Sequence, residues 1–258
     1  MAPRHLRLTF EDDLAYLTLA RPEVLNALSF SLLGEIQEAV QSVAVSSARS
    51  LLVTGDGDRA FCAGADVAEL VGRPAEACQK GSELGQSVFQ MLADLPIPSI
   101  ALINGYAFGG GLELALACTF RLALRTAKLG FPEIKLGLIP GYGGTQRLAR
   151  LVGSAPALEM VLTGDPITAE QAASIGLVNA VVDADLDAAG RTLARRLTRH
   201  SLVTFRLARA AVMRAAETSL AEGLRSETEL STLAYMTEDA NEGMRAFLEK
   251  RPAHFRDR

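Results

Sequence analysis

Short, unbroken apolar runs that close on a small polar residue or glycine, at residues 50–54 and 99–103, are separated by a stretch with the length and period of a single helix. An unbroken apolar run is what a strand covered on both faces looks like, and two such strands joined through a helix lie parallel, because an antiparallel pair would need only a tight turn. Ahead of the first run, residues 6–19 alternate as two strands meeting at Glu11-Asp12-Asp13. Residues 29–45 then place Leu32, Leu33, Ile36, Val40 and Val43 at helical spacing behind Ser29, a candidate N-cap. Further helices are expected at 75–95 and from about 110 to 118, with strand-like segments at 121–124 and 128–131. Repeated strand–helix–strand order of this kind specifies an α/β fold with crossover connections.

Beyond Thr145 the pattern changes. Only residues 177–182 still read as a strand, and from about 187 the chain is rich in Ala, Leu, Arg and Glu, with Leu193, Leu197, Leu202, Phe205, Leu207 and Val212 as candidate inward positions. A length of 258 residues fits one large domain with an appendage. The expected organisation is therefore an α/β core at 1–186 and a helical region at 187–258, without a Gly/Ser linker between them.

Several function classes fall away on composition. A net charge of -4 with dispersed Lys and Arg leaves no basic footprint for nucleic acid. The apolar runs are far too short to span a bilayer. The start of the chain, Met1-Ala2-Pro3-Arg4-His5, passes directly into alternating residues without an h-region, so a cytoplasmic protein is expected. Cys62, Cys78 and Cys118 lack metal-ligand spacing, and an odd number makes a disulfide frame a poor reading. His5, His200 and His254 lie away from every glycine-rich turn, and there is no Gly-x-Ser-x-Gly elbow. Carboxylates and backbone dipoles are the groups left for chemistry, with no metal.

Two turns follow predicted strands closely. Ala60-Phe61-Cys62-Ala63-Gly64-Ala65-Asp66 comes after the run at 50–54, and Asn104-Gly105-Tyr106-Ala107-Phe108-Gly109-Gly110-Gly111-Leu112-Glu113 comes after that at 99–103. Small residues let backbone NH groups approach a ligand, and those at a helix N-terminus favour negative charge, so a pair of such turns could polarise a carbonyl oxygen. Taken singly, each turn fits tight packing equally well. Glu113, one turn into its helix, also fits simple dipole stabilisation. Glu133, in Phe131-Pro132-Glu133-Ile134, has apolar flanks that would raise its pKa in a dry site and suit it to donate a proton.

These turns, the segment from Phe131 to Leu148, Leu162-Thr163-Gly164 and the ending from Glu242 to Arg251 together resemble the motifs of the enoyl-CoA hydratase/isomerase (crotonase) family, in their usual order and across essentially the whole chain. The resemblance implies a spiral of ββα units with a helical C-terminal region for trimerisation. It also implies that the NH groups of Ala65 and Gly110 form an oxyanion hole for an acyl-CoA thioester. Ala63, Asp66, Val67 and Ala68 would lie along the CoA, and Phe247 and Lys250 would reach the acyl and CoA ends of a site, Lys250 from another subunit. Glu113 would position or deprotonate a water for attack at Cβ, and Glu133 would deliver a proton to Cα. Hydration of a trans-2-enoyl-CoA by a trimer or dimer of trimers, without a cofactor beyond the substrate's CoA, is the implied activity; a Δ3-Δ2 isomerase, another acyl-CoA lyase and a non-catalytic binding member are the alternatives. The acyl pocket would be walled largely by residues 67–95, where Leu70, Val71, Leu84, Val88 and Met91 are candidates. A dinucleotide fold is suggested by Gly55-Asp56-Gly57-Asp58-Arg59-Ala60, but the reading fails on context: the fingerprint should open a helix, Phe61 to Gly64 is loop-like, and no acidic residue ends a second strand about twenty positions on.

Overall fold

The computed structural model describes residues 5–258; the Met1–Arg4 stretch, part of the segment from which a cytoplasmic location was read, lies outside them. The chain divides into two compact units between Thr192 and Leu193. The division falls inside a helix that begins at Leu186, where the helical region was expected to start.

The first unit opens on the hairpin β1 (Leu6–Glu11) and β2 (Leu14–Leu19), followed by α1 (Phe30–Ala44). Ser29 caps α1 by accepting from Leu32 N, which satisfies one of the four amides a helix start leaves unpaired. The chain then runs through β3 (Ser50–Gly55), β4 (Ala60–Cys62), α2 (Ala75–Ala93), β5 (Ser99–Ile103), β6 (Tyr106–Phe108), α3 (Gly110–Ala117), β7 (Phe120–Leu124) and β8 (Lys128–Gly130). A 3-10 turn at Pro132–Leu136 leads into α4 (Gly144–Val152), α5 (Ser154–Thr163), β9 (Ile167–Thr168), α6 (Ala169–Ser174), β10 (Ala180–Val182) and α7 (Leu186–Thr198).

Two sheets result. The larger has the order β1-β2-β3-β5-β7-β10, and every pair after the hairpin is parallel, so each helix-bearing crossover advances the sheet by one strand. The smaller, β4-β6-β8-β9, is built from the short strands that follow β3, β5 and β7, again parallel until β9. One unit of strand, short strand and helix is thus repeated with a steady advance: the expected spiral of ββα units. Leu17, Leu51, Leu52, Val53, Ile100 and Ala101 are all 1% exposed or less, as unbroken apolar strands require.

One sequence expectation changes here. Residues 60–62 and 106–108 look like loop by composition but are strands of the smaller sheet. The Gly55–Ala60 stretch opens no helix, since β3 ends at Gly55 and β4 begins at Ala60, in line with the rejection of the dinucleotide reading on its context. Gly55 is instead required by close approach, since a Cβ there would lie 2.3 Å from Phe61 O.

The second unit, residues 193–258, holds the end of α7 with α8 (Leu202–Arg214), α9 (Leu220–Tyr235) and α10 (Glu238–Glu249). Asp239, 2% exposed, binds the amides of Arg256 and Asp257 and so ties down the last residues of the chain. Of the candidate inward positions, Leu202 is buried, but Val212 is 72% exposed, because the apolar stripe of α8 outruns what covers it within one chain.

Candidate active site

Ala65 follows β4 in a segment fixed by Leu28. Leu28 N donates to Gly64 O and Asp66 N donates to Leu28 O, so Gly64 and Asp66 are engaged on one side and the Ala65 NH between them is turned to the other. Gly110 is the first residue of α3, where an amide has no partner inside the helix. Neither NH donates a hydrogen bond among the described residues. The two turns are packed together: Gly64 carries φ +108 beside Phe108 O, and a Cβ on Gly110 would lie 3.4 Å from Ala65 N. Two unclaimed donors from two different ββα units therefore lie close together. Gly109, with φ +49, directs the chain from β6 into α3.

Glu113 is 1% exposed. Its Oε1 accepts from Gly144 N at 2.6 Å and from Tyr142 N at 2.8 Å, so the start of α4 clamps a carboxylate carried by α3. Both donors fall on Oε1, leaving Oε2 without a protein donor among the described residues. Burial pushes the Glu113 carboxyl up to about 7; the Gly144 amide opposes that, the charge of Glu133 adds to it, and the Tyr142 amide and Arg147 oppose it. Gly144 is small by necessity, since a Cβ there would lie 2.9 Å from Glu113 Oε1 and 2.7 Å from the Phe131 ring.

Glu133 sits in the 3-10 turn after β8, and its carboxyl occupies the space beside Gly109, where a Cβ would lie 2.6 Å from Oε1. Its Oε2 is buried with no hydrogen-bond partner. Burial raises its pKa too. A buried carboxyl oxygen without a partner is costly in the ionised state and tolerable in the protonated one, which fits a proton donor awaiting an acceptor. The two glutamates influence each other electrostatically, so their protons belong to the pair.

The family model described as Enoyl-CoA hydratase/isomerase matches residues 9–258. The chain belongs to this family. Among similar members, the crotonyl-CoA hydratase of Syntrophomonas wolfei is 42% identical over 257 residues, 99% of each protein. The short-chain-enoyl-CoA hydratase of Clostridium acetobutylicum is 37% identical over 243 residues, 93% of each. The crystal structure of an enoyl-CoA hydratase from Bacillus anthracis superposes with a TM-score of 0.94 at 36% identity, covering 99% of this chain and 100% of that one.

The remaining sequence-named positions of this family member fall as follows. Ala63 and Asp66 are half-buried around Ala65, and Val67 and Ala68 are exposed in the turn after it. Asp66 is engaged by Arg21, whose guanidinium lies 3.2 Å from Oδ2 while also donating to Ala27 O. Arg21 looks in sequence like part of an ordinary turn before Pro22, so its role in bracing the 63–66 loop was not legible. Phe247 and Lys250 belong to the second unit, Phe247 81% exposed and Lys250 as the left-handed C-cap of α10. Of the expected pocket residues, Val88 is buried and Val71 is 77% exposed. Cys62 and Cys118 are buried with thiols pushed up to about 12 by burial, which makes them inert, and Cys78 is exposed.

The residue that sequence reasoning passed over is Tyr142. Besides donating its NH to Glu113, it lays its ring against Gly85 of α2, edge-on to Phe89 at 5.8 Å between centroids, and reaches the Gly110 turn. Its only signal in the sequence is an aromatic residue inside an otherwise all-glycine turn.

Proposed function

We propose that the chain is an enoyl-CoA hydratase that adds water across the 2,3 double bond of a trans-2-enoyl-CoA. The observation that carries this reading is the close approach of two unclaimed amides, Ala65 NH and Gly110 NH, at a spot bordered by the buried Glu113 and the half-buried Glu133, both with raised pKa values. The thioester oxygen would take both amides. A water held between Glu113 Oε2 and Glu133 attacks Cβ and gives one proton to Glu113. The electron pair of the alkene moves onto the thioester oxygen as an enolate, and Glu133 gives its proton to Cα. Glu113 leaves the step protonated and Glu133 ionised, and proton exchange between the two restores the starting state. Charge development on the oxygen is where preorganised donors act most strongly, at ~2.7 to 4 kcal/mol for each.

Further parts of the reading follow from family membership. Ala63, Asp66, Val67 and Ala68 line the CoA path, Phe247 and Lys250 serve the acyl and CoA ends, and the chain works in the cytoplasm with no cofactor beyond the substrate's CoA. Assembly as a trimer or dimer of trimers is supported by the exposed Leu233, Tyr235, Met236, Phe247 and Leu248 of the second unit. Such a density of open apolar side chains is unusual on a protein that works alone. Sedimentation as a monomer at micromolar concentration would overturn the assembly.

The deciding experiment is hydration of crotonyl-CoA without added metal or nucleotide, compared with Glu133→Gln. The variant should lose about 10²- to 10⁴-fold in kcat while still binding a saturated acyl-CoA. Full activity in the variant would remove Glu133 from the chemistry. A second reading is favoured by the saturation of Glu113 Oε1: if Glu113 is only held, Glu133 alone could move a proton between carbons, as an isomerase does. Conversion of a 3-enoyl-CoA with no hydration would establish that alternative.

A further inference from the structure

Two glycines one turn apart, Gly81 and Gly85, lie buried on one face of α2, in the middle of a 19-residue helix. Each gives up about 1 kcal/mol of helix propensity relative to alanine. What the gap admits is aromatic: a Cβ on Gly81 would lie 2.6 Å from the Phe30 ring, and one on Gly85 would lie 2.2 Å from Tyr142 Cδ1. The Tyr142 ring is thereby set into the helix surface, with Phe89 edge-on behind it. Its opposite edge meets the catalytic turn, since a Cβ on Gly110 would lie 3.3 Å from Tyr142 Cδ2 and 3.4 Å from Ala65 N. One glycine's width thus separates the ring from the paired amides, and the amide of the same residue holds Glu113. An aromatic ring, 7% exposed, therefore stands beside Glu113 and the Gly110 turn, and α2 prevents it from retreating.

We propose that Tyr142 is the end wall of the acyl site and makes this protein selective for short enoyl-CoA substrates, crotonyl-CoA over decenoyl-CoA. The proposal rests on the hydratase reading for the reaction but on packing alone for the length limit. Gly85 is the positioning partner: its missing side chain fixes how deep the ring sits. Tyr142→Ala removes the ring and retains the backbone NH that Glu113 needs, so it opens space without deleting the clamp.

The test is a chain-length profile on the full-length protein, read in two ways. The first is kcat/KM on crotonyl-, hexenoyl- and decenoyl-CoA, and the second is Kd for the unreactive butyryl- and decanoyl-CoA by calorimetry. Wild type should favour the short member by at least about tenfold in both, the scale on which a closed apolar pocket rejects one extra methylene. Tyr142→Ala should raise the decenoyl-to-crotonyl ratio by about tenfold or more, and Tyr142→Phe, which keeps the ring, should leave the ratio at the wild-type value. Equal wild-type Kd values for butyryl- and decanoyl-CoA would overturn the proposal even if Tyr142→Ala fails to fold, as would an unchanged ratio in a folded Tyr142→Ala. Length discrimination in the Kd values with no hydration of any enoyl-CoA would sink the hydratase reading and leave the wall standing.

Discussion

The two units of this chain treat apolar side chains in opposite ways. In the first, strands β2, β3 and β5 bury nearly every large apolar residue, and Leu17, Leu52 and Ile100 are shielded completely or almost so. In the second, the buried apolar residues are Ala194, Leu202 and Ala246, while Leu220, Tyr235, Met236, Phe247 and Leu248 are each at least 67% exposed. The first unit is a self-sufficient scaffold that can hold donors and carboxylates in fixed positions. The second has composition enough for a core but leaves it open, which is why its helices read convincingly in sequence while their inward faces did not.

The largest expected effect tests the scaffold. Leu17→Ala in β2 should destabilise by about 2 to 5 kcal/mol through lost burial and the cavity left behind. Thermal unfolding should fall by roughly 2 to 4 °C for each kcal/mol. A shift no greater than that of a surface variant would break the contrast.

Next comes Glu113, a carboxyl that the scaffold buries at a cost to stability. Its carboxyl titrates near 7 in the folded protein against an ordinary value of 4.5, with burial as the main cause. A raised acid pKa contributes stability below the ordinary carboxylate range and has lost it once pH has risen past about 7. Glu113→Gln should therefore gain on wild type as pH rises from 4.5 to 7, by on the order of 3 kcal/mol. Melting temperatures of both proteins across that range decide it; a gap that stays constant would remove the burden. The same ionisation predicts an acid limb of kcat/KM with an apparent pKa near 7.

A smaller effect is expected in the second unit. Lys250 caps α10 at φ +56, in the left-handed region where a side chain is strained by about 1 to 2 kcal/mol. Lys250→Gly should stabilise by up to about 1 kcal/mol in denaturant titration, and destabilisation would show that the side chain has a structural partner. Smallest of all, Leu248→Ala, at a position 79% exposed, should change unfolding of the dissociated chain by less than about 0.5 kcal/mol while weakening self-association in sedimentation. Equal costs for Leu248→Ala and Leu17→Ala in the dissociated chain would erase the distinction between the units.

How much was readable in advance follows the same divide. The long strands, the Ser29 cap and the succession of crossovers were legible, because residues buried on both faces leave an unbroken apolar signature. The short strands β4, β6 and β9 were not. With three residues or fewer, and small or aromatic members such as Ala60 and Tyr106, they are strands only because a neighbour from another ββα unit pairs with them. At the site, Glu113 and Glu133 stood out as carboxylates in apolar or helical settings, and Ala65 and Gly110 as small residues in glycine-rich turns. The Arg21 brace on Asp66 and the role of the Tyr142 ring were not legible, because each acts between residues distant in sequence and leaves no local periodicity.

Gly111 carries a last consequence. A Cβ at that position would lie 2.1 Å from Cys62 O, so α3 rests directly on the backbone of β4 with nothing between. That contact works as a gauge block. It sets how far apart the turns bearing residues 65 and 110 can stand, and a single added methyl would lever the helix off the strand and widen the gap between the two NH groups proposed to share one thioester oxygen. A residue with no chemistry of its own thereby sets the span that the proposed chemistry depends on.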